Sequence, residues 1–139
     1  MRALITGHAD FATGLKSALE LIAGPQEQLQ HLPFTEATNL AEFQEQLVQF
    51  SNVEDEEAVI FTDLLGGTPF NMAMTAKANN DRIHIFTGTN LPLLLEFISL
   101  QMLDTDKAEN LEKLAEASRA GINFDVKIGL KDTEESDGI

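Results

Sequence analysis

The chain has 139 residues, 43% of them hydrophobic, which supplies the core of one ordinary domain and leaves too little for a second. Nine Lys plus Arg stand against 23 Asp plus Glu, and a net charge of -14 repels phosphodiester backbones and anionic lipid head groups while favouring a basic protein surface. Cysteine is absent, so disulfides, thiolate metal sites and cysteine nucleophiles are excluded.

In chain order, short apolar runs alternate with stretches of helical period, the pattern of an α/β fold around a parallel sheet. Arg2 to Thr6 reads as the first strand. Phe11, Leu15, Ala18, Leu19 and Ile22 then share one helical face, Asp10 stands where an N-cap belongs, and Gly24-Pro25 supplies a stop. Leu29 to Phe34 is the second strand, followed by a helix with the stripe Leu40, Phe43, Leu47 and Phe50. Ala58 to Thr62 is the third strand, uninterrupted and apolar as a central parallel strand is. The third helix is expected to open at Thr68-Pro69, a hydroxyl N-cap before proline, and to end near Asn79-Asn80. Arg82 to Thr87 is the fourth strand. The fourth helix opens at Asn90 with Leu91 to Met102 behind it, and a fifth runs from about Thr105 to Ala120, where Gly121 is expected to take a left-handed C-terminal position.

Ile122, Phe124, Val126, Ile128 and Leu130 alternate with Asn123, Asp125, Lys127 and Gly129, which describes a half-buried edge strand, expected to be antiparallel and a natural place for dimer contact. One domain is expected over residues 1–130, with an acidic flexible tail over 131–139 that includes Asp132, Glu134, Glu135 and Asp137. The first apolar run, Ala3 to Ile5, is too short for a signal-peptide core, and the longest, Leu91 to Leu100, carries Pro92 and Glu96. A soluble, cytoplasmic protein is expected.

In doubly wound sheets the ligand site lies beyond the carboxyl ends of the strands where strand order reverses, and the order 2-1-3-4 puts that reversal between strands one and three. These end in Thr6-Gly7-His8 and Thr62-Asp63, so the topology sets His8 beside Asp63. A carboxylate on one ring nitrogen fixes the tautomer and leaves the other nitrogen nucleophilic. The loop "DLLGGTPFN" adds what a histidine needs if its electrophile is a phosphoryl group: Gly66 and Gly67 allow close backbone approach, and the amides and hydroxyl around Thr68 open a helix, a ready anion site. None of the nine basic residues lies in either loop, so retention of a phosphate there is weak, which suits a carrier. Taken singly, a histidine at a strand end is ordinarily a polar loop residue, and Gly-Gly-Thr-Pro is a good turn into a helix. Their convergence on one switch point favours chemistry. His31 and His84 fall inside strands and read as structural or solvent-facing, and Thr87 to Asn90 is explained nearly as well by turn and capping duties as by lining the cleft.

Three segments, "LITGHADFATGL", "FTDLLGGTPFNMA" and "TGTNLPLLLE", with the closing "RAGI", give the chain a resemblance along nearly its whole length. It resembles the IIA domain of the mannose family of the bacterial phosphoenolpyruvate-dependent sugar phosphotransferase system. The resemblance implies a flavodoxin-like sheet, a homodimer that exchanges its final strand, and a histidine that takes phosphate from the carrier HPr and passes it to a IIB partner, with membrane IIC and IID components downstream. His8 is then the phosphorylated residue, Asp63 its orienting carboxylate, and Gly66, Gly67 and Thr68 the segment beside the phosphate. The match looks most like the branch serving amino sugars such as N-acetylgalactosamine, and the chain stops too early for a fused IIB, so a separate IIB protein is expected. Ala9 departs from the glycine frequent after the active histidine. No metal or other cofactor is called for. Three other readings stand beside this one. The phosphotransfer subunit of dihydroxyacetone kinase is similar in fold and histidine. A receiver-like signalling module needs an acidic cluster where Gly7-His8-Ala9 stands. A hydrolase using His8 and Asp63 lacks a Gly-x-Ser-x-Gly elbow.

Overall fold

Continuous apolar runs, buried on both faces, build the centre of the sheet. The structure, a computed structural model, describes residues 1–103 and 108–128. Its strands are β1 (Arg2–His8), β2 (Leu29–Phe34), β3 (Ala58–Thr62) and β4 (Ile83–Phe86), all parallel, in the order β2-β1-β3-β4. This is the doubly wound, flavodoxin-like α/β architecture and the strand order expected from the sequence. In the central pair Ala3 stands opposite Val59 and Ile5 opposite Phe61. These four face one core layer with Ala12, Leu19, Leu94 and Phe97, while Leu4, Ala58 and Ile60 face the other with Phe43, Leu47 and Phe50. An apolar run with period-two side chains thus serves both faces, and each large side chain fully buried here contributes about 1.5–3 kcal/mol.

The helices are α1 (Phe11–Ala23), α2 (Leu40–Ser51), α3 (Thr68–Ala78), α4 (Leu91–Met102) and α5 (Leu111–Ala120), the last preceded by a 3-10 turn, Ala108–Asn110. Helices α1, α4 and α5 cover the first layer, and α2 and α3 the second. Asn39 and Asn90 cap α2 and α4 by accepting from Glu42 N and Leu93 N. Among the described residues no helix is long and apolar enough to cross a membrane.

Several local expectations are corrected. Asp10 occupies the N-cap position of α1, but at φ -91°, ψ 12° its side chain makes no capping bond, because an N-cap carboxylate reaches its amide from an extended backbone. Gly67, not Thr68, is the N-cap of α3: its backbone is extended, and Thr68 and Pro69 already lie in the helix. Ile22 and Leu40, placed on apolar stripes by spacing, stand at helix ends and are exposed. Gly121 is right-handed at φ -78°; glycine is required there because a Cβ would lie 2.6 Å from Pro92 Cγ, where α5 closes on α4.

The expected last strand is not formed over residues 122–128 of the single chain, and Ile122, Phe124, Val126 and Ile128 are exposed there. A strand exists only by pairing, and among the described residues these find no ladder. Leu130 and the acidic stretch 131–139 lie outside the described residues. The two sheet edges differ. On β2, Pro33 removes a donor, whereas β4 has no proline and runs beside a groove lined by Phe70, Met74, Ile85, Leu111 and Ala115, with Lys77, His84 and Arg119 on its walls.

Candidate active site

Strands β1 and β3 are in register through Thr6 and Thr62. Both hydroxyls are spent on structure, Thr6 Oγ1 donating to Leu32 O at 2.7 Å and Thr62 Oγ1 to Phe86 O at 2.6 Å, so the strand ends are tied to their outer neighbours. Beyond this pair the chain leaves β1 toward α1 on one face and β3 toward α3 on the other. At that parting His8 and Asp63 meet. Asp63 Oδ2 accepts from the His8 amide at 2.9 Å and lies 2.8 Å from His8 Nδ1. The carboxylate accepts, so in the neutral ring Nδ1 carries the proton, and Nε2 keeps its lone pair with no hydrogen-bond partner among the described residues. The His8 side chain is 47% exposed and that of Asp63 only 13%.

Burial pushes the Asp63 carboxyl up, but the His8 amide, the His8 ring hydrogen bond and the attraction of a charged imidazole together outweigh it and hold Asp63 below the usual carboxylate range. Its other oxygen, Oδ1, is buried and has no hydrogen-bond partner among the described residues. Asp63 is therefore committed to His8 through a single oxygen.

The loop from β3 to α3 closes over the other edge of the imidazole. Gly66 is left-handed at φ 82°, a conformation that favours glycine, and turns the chain so that Gly67 N donates to Leu64 O at 3.1 Å. A Cβ on Gly67 would lie 2.7 Å from His8 Cε1 and 3.5 Å from Nε2, so this backbone touches the ring beside its open nitrogen. Pro69 has no N–H and that of Gly67 is used, which leaves the Thr68 and Phe70 amides as the helix donors available to an anion. The Thr68 hydroxyl opens the helix and makes no hydrogen bond among the described residues.

A protein-family model described as the fructose IIA component of the phosphotransferase system, EIIA-man, matches residues 2–116. The chain belongs to the EIIA-man family. It is thus a IIA component of a sugar phosphotransferase system. Among related EIIA chains, the fructose-specific EIIA component of Bacillus subtilis (strain 168) is 34% identical over 119 residues, covering 83% of this chain and 82% of that one. The mannose-specific EIIAB component of Escherichia coli (strain K12) is 26% identical over 123 residues, 86% of this chain but 38% of the relative. The crystal structure of phosphotransferase system component EIIA from Streptococcus agalactiae matches with a TM-score of 0.80 at 29% identity, over 88% of this chain and 95% of that one.

Of the residues singled out by sequence, this EIIA chain brings His8, Asp63 and Gly67 into contact, with Gly66 shaping the turn and Thr68 opening the helix. The remaining candidates are accounted for elsewhere: His31 is exposed on β2, His84 Nε2 lies 3.3 Å from Glu57 Oε2, Thr89 is bonded to Thr62 O, and Asn90 caps α4. Two contributors escape the sequence. Gly7 has no room for a side chain, since a Cβ would lie 2.6 Å from Phe11 Cδ1 and 2.8 Å from Asp63 Cγ. Its neighbours arrive from α1 and β3, and no local motif announces them. Phe34, at the end of β2, sets its ring against His8 at 6.1 Å between centroids and 82° between planes.

Ala9 is left-handed at φ 51°, held by its amide donating to Phe34 O at 2.7 Å. That conformation costs a non-glycine residue about 1–2 kcal/mol, while glycine adds about 0.4–1 kcal/mol of unfolded-chain entropy to be lost. Ala9→Gly is therefore expected to leave stability unchanged or raise it by up to about 1.6 kcal/mol, read from denaturant unfolding. A loss larger than that contradicts the strain assigned to Ala9.

Proposed function

We propose that the chain is a phosphohistidine carrier: His8 takes a phosphoryl group from HPr and passes it to a mannose-family IIB component, in the cytoplasm, in support of sugar uptake and phosphorylation through membrane IIC and IID components. The observation that carries this reading is the ring held at Nδ1 by Asp63 with Nε2 open beside a helix start. The Nε2 lone pair attacks phosphorus in line, the donor's P–N bond breaks, and its electron pair returns to the donor histidine nitrogen. The proton stays on Nδ1, and the Asp63 carboxylate balances the positive charge that the imidazole acquires. Transfer onward to IIB reverses these steps. No Lys or Arg stands in either loop to retain the phosphoryl group, and the net charge of -14 favours encounter with a basic donor surface.

Incubation with phosphoenolpyruvate, enzyme I and HPr is expected to add one acid-labile phosphoryl mass to the wild type, His31→Ala and His84→Ala, and none to His8→Ala. A label that survives His8→Ala, or one stable to acid, overturns the assignment.

The carrier also forms a homodimer in this reading, through the alternating segment that begins at Ile122. Support comes from its four exposed apolar side chains, Ile122, Phe124, Val126 and Ile128, and from the proline-free edge of β4, unpaired among the described residues, with its apolar groove. A chain truncated before Ile122 is expected to sediment as a monomer; a truncated dimer places the interface elsewhere.

A further inference from the structure

We infer that Phe34 is a positioning residue for His8: its ring is a wall that keeps Nδ1 on Asp63 and Nε2 turned outward. The inference rests on the carrier reading of His8. An imidazole on a strand end is free to turn about its Cβ–Cγ bond, and a half-turn would present a C–H edge to Asp63 and move Nε2 to where Cε1 now stands, against Gly67. One hydrogen bond at 2.8 Å opposes that turn, and His8 is half exposed, so a second restraint has something to do. Phe34 stands directly across the ladder from His8 and meets it edge to face, within the range where aromatic pairs attract.

Phe34 is itself held. Its ring packs edge to face on Phe43, 5.3 Å away, and Phe43 is only 1% exposed, so the wall is rooted in the core beneath α2. Its carbonyl accepts the Ala9 amide at 2.7 Å and fixes the direction in which the chain leaves His8. One residue thereby restrains both the histidine ring and the backbone that follows it. Past the ring, Thr35, Glu36 and Ala37 continue a shallow hollow beside His8, so the wall stands without closing the approach.

The test compares Phe34→Leu, which keeps apolar bulk and loses the ring, with Phe34→Tyr, which keeps both. Nitrogen NMR of the unphosphorylated proteins reports the His8 tautomer, and single-turnover phosphorylation by phosphorylated HPr separates the saturating rate from the half-saturating concentration. Phe34→Leu is expected to lose the dominance of the Nδ1-protonated tautomer and to accept phosphate about fivefold more slowly at saturation, with half-saturation unchanged; Phe34→Tyr restores both. Should Phe34→Leu not fold, Phe34→Met carries the same comparison through a side chain that repacks readily. A wild-type tautomer and rate without the ring overturns the inference, and so does a change in half-saturation alone, which marks a partner contact. The tautomer is read without any donor, so failure here is distinct from failure of the carrier reading, which shows as wild type that takes no phosphoryl group.

Discussion

Asp63→Asn is expected to fold and to accept phosphoryl groups at least about a hundredfold more slowly than the wild type, measured by single-turnover phosphorylation. Asparagine can offer its one carbonyl oxygen to the His8 amide and ring as Oδ2 does now, but its amide nitrogen then takes the place of Oδ1, which is buried with no partner. The flipped rotamer is worse, setting a donor against two donors. Either way the neutral amide does not balance an imidazolium. Fold stability is expected to drop by about 1–2 kcal/mol, the cost of weakened bonds and an unmatched buried donor.

The same carboxylate predicts an acid limb. Its folded-state pKa lies below its unfolded value, so its stabilising contribution is complete above about pH 4, near the unfolded carboxyl, and is lost as pH falls through the folded value. Wild type and Asp63→Asn should accordingly differ in urea midpoint at neutral pH and converge on acidification. A gap that persists at the acid end would mean that Asp63 contributes through packing and not through charge. A wild-type transfer rate in Asp63→Asn removes it from the mechanism.

The parts of this molecule that were legible in its sequence are those dictated by burial over several residues. Ala58 to Phe61 has no polar interruption, as a strand covered on both faces requires, and the parallel order then put His8 beside Asp63 with no knowledge of side-chain geometry. What was not legible depends on single dihedral angles or on neighbours remote in sequence. Asp10 is a good capping residue in the capping position, yet its backbone is not extended. Gly121 looked like a helix stop of left-handed kind and is instead a close approach to Pro92. Residues 122–128 carry a strand's alternation, but alternation along the chain does not say which edge a strand pairs with, and among the described residues they pair with none. Phe34 read as the last apolar residue of β2, because a ring-to-ring contact with His8 across the ladder has no signature along the chain.

Gly67→Ala and Gly66→Ala, neighbouring changes of one methyl group, are expected to fail in opposite ways. At Gly67 the backbone, φ -71° and ψ 163°, suits any residue, so alanine brings little conformational strain. Its Cβ, however, would stand 2.7 Å from His8 Cε1 and 3.3 Å from Leu64 O. The carbonyl belongs to a hydrogen-bonded turn, whereas the imidazole is the far end of a half-exposed side chain, so the ring yields first. Yielding means leaving Asp63, and a displacement of order 1 Å at a reacting group is enough for about a hundredfold loss in rate. At Gly66 a Cβ meets open space, but φ is 82°, so alanine is expected to cost about 1–2 kcal/mol in stability and little in transfer. Thermal unfolding and single-turnover phosphorylation of the two variants therefore separate ring placement from backbone strain. Gly67→Ala transferring at the wild-type rate would show that the imidazole has another productive position, and the contact between this loop and His8 would lose its place in the mechanism.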